Sequence, residues 1–539
     1  MVDKLTTMFA AKSWWYNAEE DVDTSIITEN IRKDVECTAT LYKHQELAVD
    51  WLMDKKEGAM LSLTMGLGKS LTVLYHSVIQ LKADSILLVV SKSLIPNWTS
   101  MINQFFPNLT FDILHSDNID PRKYNNSDRK QLIITTYDVV MSMASLHDIN
   151  ILVNREERGF VSRNVDTLLS SGPGSFLFNT HFDVVISDES QIFRNPCGQL
   201  YPAMMGLTGK KYICLTATPI QNSFDDLYTQ FRFMNINQVQ RFEIFNEEFF
   251  QQNNLADNVL IMDYKDAGIN LPGSNDHVIK LFYNEHEKEA YRLLREEALS
   301  NIKKKRVGYE KDNEQKDRTI KNIQRKKPIH ILALITRLRF ACMCIGLGYR
   351  SKNMMSVPKR IRPMLRNPQS CFWTNSTKFV AVRKIIAEIV ERKEKVIIFS
   401  TFLTALKEFG EGLKQCMGIH PLSVEGCMDI EYRQSMIDTF KTSQVHSVML
   451  LTFQIGAEGM NLIEANNIII LDYWWSPSAI KQAIARALRI GQTKIVNIYR
   501  FRMADTIEDR VYEIVQKKSE IVEQFESGVI SNDTYKSII

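Results

Sequence analysis

Short uninterrupted apolar runs alternate with helix-period segments along residues 40–240, at Ser85–Val90, Leu132–Thr136, Asp183–Ser187 and Tyr212–Leu215. The alternation returns over residues 376–505, at Val396–Ser400, Ser447–Leu451, Asn467–Asp472 and Val496–Arg500. Apolar runs of this length, separated by helical segments, predict strands covered on both faces, and so parallel sheets in an α/β fold. Residues 241–375 read as largely helical and irregular, with Pro358, Pro363 and Pro368 near the end. The expected organisation is an N-terminal flank 1–37, a first lobe 38–240, a helical insertion or linker 241–375, a second lobe 376–510 and a helical tail 511–539.

The chain has 539 residues, 45% of them hydrophobic, which suits globular domains and excludes a disordered or collagen-like polymer. No stretch reaches the ~20 apolar residues of a membrane span. The best candidate, Ile329–Gly348, is interrupted by Arg337 and Arg339. The first residues lack an apolar core of signal-peptide type, so no leader is expected. Eight cysteines are scattered, with Cys342 and Cys344 the only close pair, which argues against a disulfide framework or a regular zinc pattern and suits a reducing compartment.

The net charge of +3 conceals a strong asymmetry. Residues 301–366 hold 19 Lys/Arg against 4 Asp/Glu, a balance of +15, which leaves −12 on the rest. Clusters occur at Lys303-Lys304-Lys305-Arg306, Arg325-Lys326-Lys327 and Lys359-Arg360. Such runs serve as solvated loops, as grips on a phosphate backbone or as nuclear-import signals, and composition alone does not choose.

Nucleotide chemistry enters at Leu63-Thr64-Met65-Gly66-Leu67-Gly68-Lys69-Ser70, which carries the Gly-Lys-Ser end of a phosphate-binding loop. Glycines let backbone N–H groups close around phosphate, a lysine neutralises the β- and γ-phosphates, and a serine hydroxyl ligates Mg²⁺. The general pattern's first glycine is missing, with Leu63 in its place. The apolar run Asp183–Ser187 ends in Asp188-Glu189, two acids at the carboxyl end of an expected strand, where ligands of open parallel sheets collect. Asp188 is the expected metal ligand and Glu189 the group that orients and activates water. A third run ends in the polar turn Thr216–Asn222.

Taken together, these residues resemble the Snf-type DNA translocases of helicase superfamily 2. Tyr42-Lys43-His44-Gln45 is similar to the family's adenine-recognising motif, with Gln45 as key residue, and Met65–Ser70 to motif I. Ser93–Trp98 resembles motif Ia, Thr135–Tyr137 motif Ib, Asp188-Glu189 with Asn195 motif II, and Leu215–Asn222 motif III. Ile397–Ser400 resembles motif IV and Gly456–Leu462 motif V, followed by Asp472, Trp475 and Pro477. Gln482–Gln492 is close to motif VI, the most specific string of the set.

The resemblance implies two RecA-like lobes with ATP and Mg²⁺ between them. Gln45, Met65, Gly66, Leu67, Gly68, Lys69, Ser70 and Gln482 would bind ATP, with Ser70 and Asp188 on the metal. Lys69, Asp188, Glu189, Arg486 and Arg489 would carry the chemistry, the two arginines lying three apart on one helical face and crossing the cleft. Thr216, Thr218, Gln221, Gly456 and Gly459 would couple hydrolysis to movement. Duplex DNA, nucleosomal DNA included, is the expected partner of a monomer, with Thr136, Thr452 and Lys303–Arg306 as contacts. Trp98, Trp474 and Trp475 could stack on bases, although core packing is the commoner fate of such rings.

The family's acidic pair before motif I is Leu63-Thr64 here, Ser190-Gln191 replaces Ala/Gly-His after the acids, and Leu488 replaces a histidine in motif VI. These departures bear on coupling, not on the ATP chemistry. Two other readings stay open: a strand-separating helicase or transcription-associated triphosphatase, and a DNA-binding scaffold without hydrolysis. The expected location is the nucleus, the host's for a viral member.

Overall fold

The structure, a computed structural model, describes residues 35–114 without Glu57, 132–146, 176–312 without Asn237 and Gln240, 327–349, 374–456 and 460–530. Two all-parallel sheets organise them. The first contains β1 (Gly58–Leu63), β2 (Ile86–Val90), β3 (Phe111–Leu114), β4 (Leu132–Thr136), β5 (His181–Asp188), β6 (Thr208–Leu215) and β7 (Val259–Met262) in the order β3-β4-β2-β5-β6-β1-β7. The second contains β8 (Ser274–Leu281), β9 (Val396–Ser400), β10 (Leu422–Val424), β11 (Val448–Thr452), β12 (Asn467–Ile470) and β13 (Val496–Met503) in the order β10-β11-β9-β12-β13-β8. Every run read as a strand is one, and β1, β2, β9, β11 and β12 are buried along their whole length. Helices cover both faces, as parallel strands require.

The segment read as a connection gives one strand to each sheet. β7 pairs with β1, placing Leu63 opposite Met262, and β8 pairs with β13 along eight residues. It also supplies long helices, Glu285–Asp312 and Lys327–Met343. Lys303–Arg306 fall on the first of these, but their side chains, with residues 313–326 and 350–373, lie outside the described residues.

Arg339 shows that part of this basic charge is structural. It is 5% exposed and donates to Asp472 (3.0 Å), the Tyr473 carbonyl (2.7 Å) and Thr401 (3.1 Å). Its guanidinium also lies over the rings of Phe402 and Trp475. The helix is thereby latched onto the second lobe.

The last helix, Ile507–Ile530, is rooted in both lobes. Near its start, Val511 and Val515 belong to the core of the second lobe. Near its end, Val522 and Phe525 belong to the core of the first, with the Phe525 ring 6.1 Å from Phe224 and 5.7 Å from Phe250. Midway, Lys518 donates to the Asn222 side chain (2.8 Å) and the Trp475 carbonyl (3.0 Å), one group from each lobe. Among the described residues, no helix is long and apolar enough to cross a membrane.

One buried group ties stability to pH. The helix Lys69–Tyr75 continues as a π-turn, His76–Gln80, and His76 is fully buried. Neither ring nitrogen has a partner among the described residues. Burial, then the charge of Lys211, lowers its pKa to about 3. The unfolded chain takes up this proton near pH 6.5, whereas the folded chain does not until about pH 3, so stability falls as the pH drops between these values. At pH 5 the loss is about 2 kcal/mol. His76→Leu, of similar volume, should remove this slope and raise the melting midpoint more at pH 5 than at pH 7. Parallel midpoint-versus-pH curves for the two proteins would refute it.

Candidate nucleotide site between the lobes

Because all first-lobe strands run in one direction, the ends of β1, β4, β5, β6 and β7 lie along one edge of the sheet, where parallel sheets take their ligands. β1 leads into the loop Thr64–Gly68 and then the helix from Lys69. Two loop residues require glycine: Gly66 has φ +89°, and Gly68 has φ +81° with a would-be Cβ only 2.2 Å from the Gln45 amide nitrogen. The half-buried Lys69 donates to the Leu63 carbonyl (2.7 Å). Burial, reinforced by Arg486, pushes its ammonium below the ordinary range, and the charges of Glu189 and Asp188 pull it back.

β5 ends in Asp188, which is 7% exposed. Oδ2 accepts from the Trp98 indole (2.8 Å) and Oδ1 from the Glu189 backbone (3.0 Å). Burial and the adjacent Glu189 charge nevertheless raise its pKa, more than Trp98 and Lys69 lower it. Asp188 and Glu189, whose charges reach Lys69, and the Ser70 hydroxyl next to Lys69 in the chain are hard oxygen donors of the kind a divalent cation takes. Glu189 has the left-handed backbone φ +54°, uncommon outside glycine, and such strain concentrates at functional sites.

A relay runs from this acid into the next strand. Gln191 donates through its amide nitrogen to Glu189, and its amide oxygen accepts from Thr216 (2.7 Å). Thr216 in turn accepts from the backbone of Thr218 (3.0 Å). The turn is fixed by Asp226, which accepts from the backbones of Gln221 (2.8 Å) and Asn222 (2.6 Å), and by Gln230, bound to Ser190 (2.6 Å) and the Pro219 carbonyl (2.9 Å). Ser190-Gln191, a departure from the family pattern, therefore joins the acids physically to Thr216–Asn222.

The second lobe contributes two arginines. They do not lie on one helical face as the spacing predicts. The helix Pro477–Ile484, which carries the buried Gln482, ends at Ile484. Beyond it the Arg486 carbonyl accepts from Leu462, and the Gln492 amide nitrogen donates to the carbonyls of Ile463, Ala465 and Ala487. These bonds hold the segment in turns, closed by Gly491 at φ +99°. Both side chains still reach the loop Thr64–Gly68. Arg486 Nη2 is 3.3 Å from Met65 Sδ, and an Arg489 nitrogen lies 3.8 Å from where a Cβ of Gly66 would stand. Burial and the charge of Arg489 lower Arg486 to about 10, still a cation at neutral pH.

Other expectations meet a different geometry. Gln45 is buried and engaged by protein: its carbonyl accepts from Tyr42 N (2.9 Å) and its amide donates to the Leu67 carbonyl (3.2 Å). Thr136 and Thr452 were expected as phosphate contacts, but they are 2% and 9% exposed, and their hydroxyls cap the helices that follow, accepting from Val139 (3.3 Å) and Ile455 (3.5 Å). Trp98, 2% exposed, takes the core position expected as the commoner fate of such rings, and its indole donates to Asp188. Trp474 and Trp475 pack against the second-lobe core. Gly456 closely approaches Phe399, with a would-be Cβ at 2.7 Å, and Gly459 lies outside the described residues. Reading the sequence missed Tyr264, whose hydroxyl donates to the Met65 carbonyl. Recognising Val259–Met262 as a strand would have pointed to its carboxyl end.

Comparison with known proteins supplies the family. The model of the SNF2-related domain matches residues 44–343, and that of the helicase conserved C-terminal domain matches 377–491. A protein of Invertebrate iridescent virus 6 described as a helicase is 26% identical over 91% of each chain. An ATP-dependent helicase of Mycoplasma pneumoniae is 26% identical over 90% of this chain and 42% of its own, and the ATP-dependent helicase FUN30 of Saccharomyces cerevisiae is 24% identical over 92% and 48%. The chain thus spans nearly all of the viral relative and less than half of the other two. The Sulfolobus solfataricus SWI2/SNF2 ATPase core in complex with dsDNA aligns over 92% of this chain and 95% of that one, at 21% identity and TM-score 0.38, too distant an overlay to carry an argument. With more than half its residues matched by the first of these families, the chain belongs to the SNF2-related family and, through it, to the ATP hydrolases of helicase superfamily 2.

Proposed function

We propose that the protein is a DNA-dependent ATPase that couples Mg-ATP hydrolysis to movement along duplex DNA and so remodels protein–DNA complexes. The supporting observation is convergence: Lys69, Asp188 and Glu189 of one lobe and Arg486 and Arg489 of the other surround a single phosphate loop. Ser70 and Asp188 would hold Mg²⁺, which when bound supplies positive charge against the β- and γ-phosphates. Lys69 neutralises phosphate charge, Glu189 accepts the proton of the attacking water, and Gln191 keeps that carboxylate aimed. Arg486 and Arg489 present cationic charge from across the cleft, so the site is complete only when the lobes meet. The relay through Thr216 and Thr218 carries the state of Glu189 into the turn that Lys518 of the last helix also touches.

DNA as partner and a nuclear site of action rest on the basic segment 301–366 and on relatives such as the ISWI chromatin-remodeling complex ATPase ISW2 of yeast, of which the chain covers 40%. A viral origin would make that the host nucleus, and a Mycoplasma relative shows that the family is not confined to nuclei. The test compares ATP hydrolysis without nucleic acid and with single-stranded DNA, duplex DNA, RNA and nucleosomes, alongside triplex- and strand-displacement assays. Stimulation by duplex DNA with triplex clearance and an intact duplex is expected. Strand separation would favour the helicase reading, and no hydrolysis under any condition the scaffold.

A further inference from the structure

A phosphate loop binds through N–H groups facing inward, so its carbonyls must face out. Three alternate carbonyls of this loop are held by side chains: Leu63 by Lys69 (2.7 Å), Met65 by the Tyr264 hydroxyl, and Leu67 by His44 (3.0 Å) and Gln45 (3.2 Å). Tyr264 comes from outside every motif and from a different part of the chain. Its location is strongly fixed. β7 is paired with β1 as far as Leu63 and Met262, and Thr64 N donates to the Met262 carbonyl (2.9 Å). Directly after β7, Asp263 accepts from the backbones of Lys265 (2.7 Å) and Asp266 (2.9 Å), while Ile269 N donates to the Tyr264 carbonyl (2.7 Å). The ring therefore stands at a set register over the loop.

We infer that Tyr264 is a positioning residue for nucleotide binding: by holding the Met65 carbonyl outward it aims the Gly66 N–H, on the opposite side of the same trans peptide, into the phosphate cradle. Its hydroxyl also faces the second lobe. The hydroxyl and an Arg489 nitrogen lie 3.4 Å and 3.8 Å from the same point above Gly66. Tyr264 thus occupies the seam where the arginine meets the loop.

This inference rests on reading the site as a nucleotide cleft, and the experiment separates the two. Affinity of the full chain for a fluorescent mant-ADP, KM and kcat for ATP, and the nucleotide-free melting midpoint are measured for wild type and Tyr264→Phe. Loss of one oriented hydrogen bond should raise Kd and KM roughly tenfold and leave kcat and the midpoint near wild type. A Tyr264→Phe chain that binds like wild type overturns the inference, as does weaker binding matched by a lowered nucleotide-free midpoint, which would mean a purely structural role. Wild-type protein that binds no nucleotide overturns the cleft reading together with it.

Discussion

A Glu189→Gln chain should still bind Mg-ATP but hydrolyse it at least about a hundredfold more slowly, the effect of removing a positioned general base. The amide keeps an oxygen to accept from Gln191, so the relay to Thr216 survives. Binding should survive for an electrostatic reason. The Glu189 charge is one of the two causes that raise Asp188, so neutralising it makes the carboxylate proposed to hold the metal easier to ionise. Phosphate release and mant-nucleotide affinity, measured on the same preparation, test both halves. Hydrolysis within a few-fold of wild type would remove Glu189 from the chemistry, and lost binding would show its charge to be needed in the ground state.

The largest loss of stability should come from Lys378→Met. Lys378 and Glu508 are each about 2% exposed and joined at 2.6 Å. Lys378 also donates to the Leu471 carbonyl (2.8 Å), and Glu508 accepts from Met503 N (2.7 Å). Burial raises the Glu508 pKa and Lys378 opposes it. Without the lysine, a carboxylate is stranded in the second-lobe core, at a cost of about 3–5 kcal/mol. Lys378→Met combined with Glu508→Leu should recover most of that, because an apolar pair of similar volume replaces an ion pair that had to be desolvated. The second lobe's thermal transition reads both effects. A double variant no more stable than Lys378→Met would show that the pair does more than satisfy its own charges.

How much was legible in the sequence follows from where each signal is stored. The expected strands of both lobes were visible because they are covered on both faces and so read as solid apolar runs, as at Ile86–Val90 and Val396–Ser400. β8 was invisible because it is an edge strand with a mostly exposed pattern, held by backbone pairing to β13 that leaves no apolar trace. β7, only four residues long, was too short to stand out within a segment read as helical. The glycine loop, the acid pair and the arginines were legible as local strings. Their supports were not, since Trp98 on Asp188 and Tyr264 on Met65 are contacts across 90 and 199 residues. Charge misled in one respect: Arg339 counts toward a basic tract yet is consumed inside the second lobe.

The last helix has a mechanical consequence. At 24 residues it is a rod about 36 Å long, anchored in the second lobe at Val511 and in the first at Phe525. Turning one lobe by about 10° about the near anchor would carry Phe525, about 21 Å along the rod from Val511, by about 4 Å, more than a ring in an aromatic socket tolerates. A wider opening must therefore bend the rod or free one anchor, Phe525 from its contacts with Phe224 and Phe250 or Val511 from the second-lobe core. The chain thus carries its own limit stop, and the angle between its lobes is set by the length of a helix as well as by whatever fills the cleft.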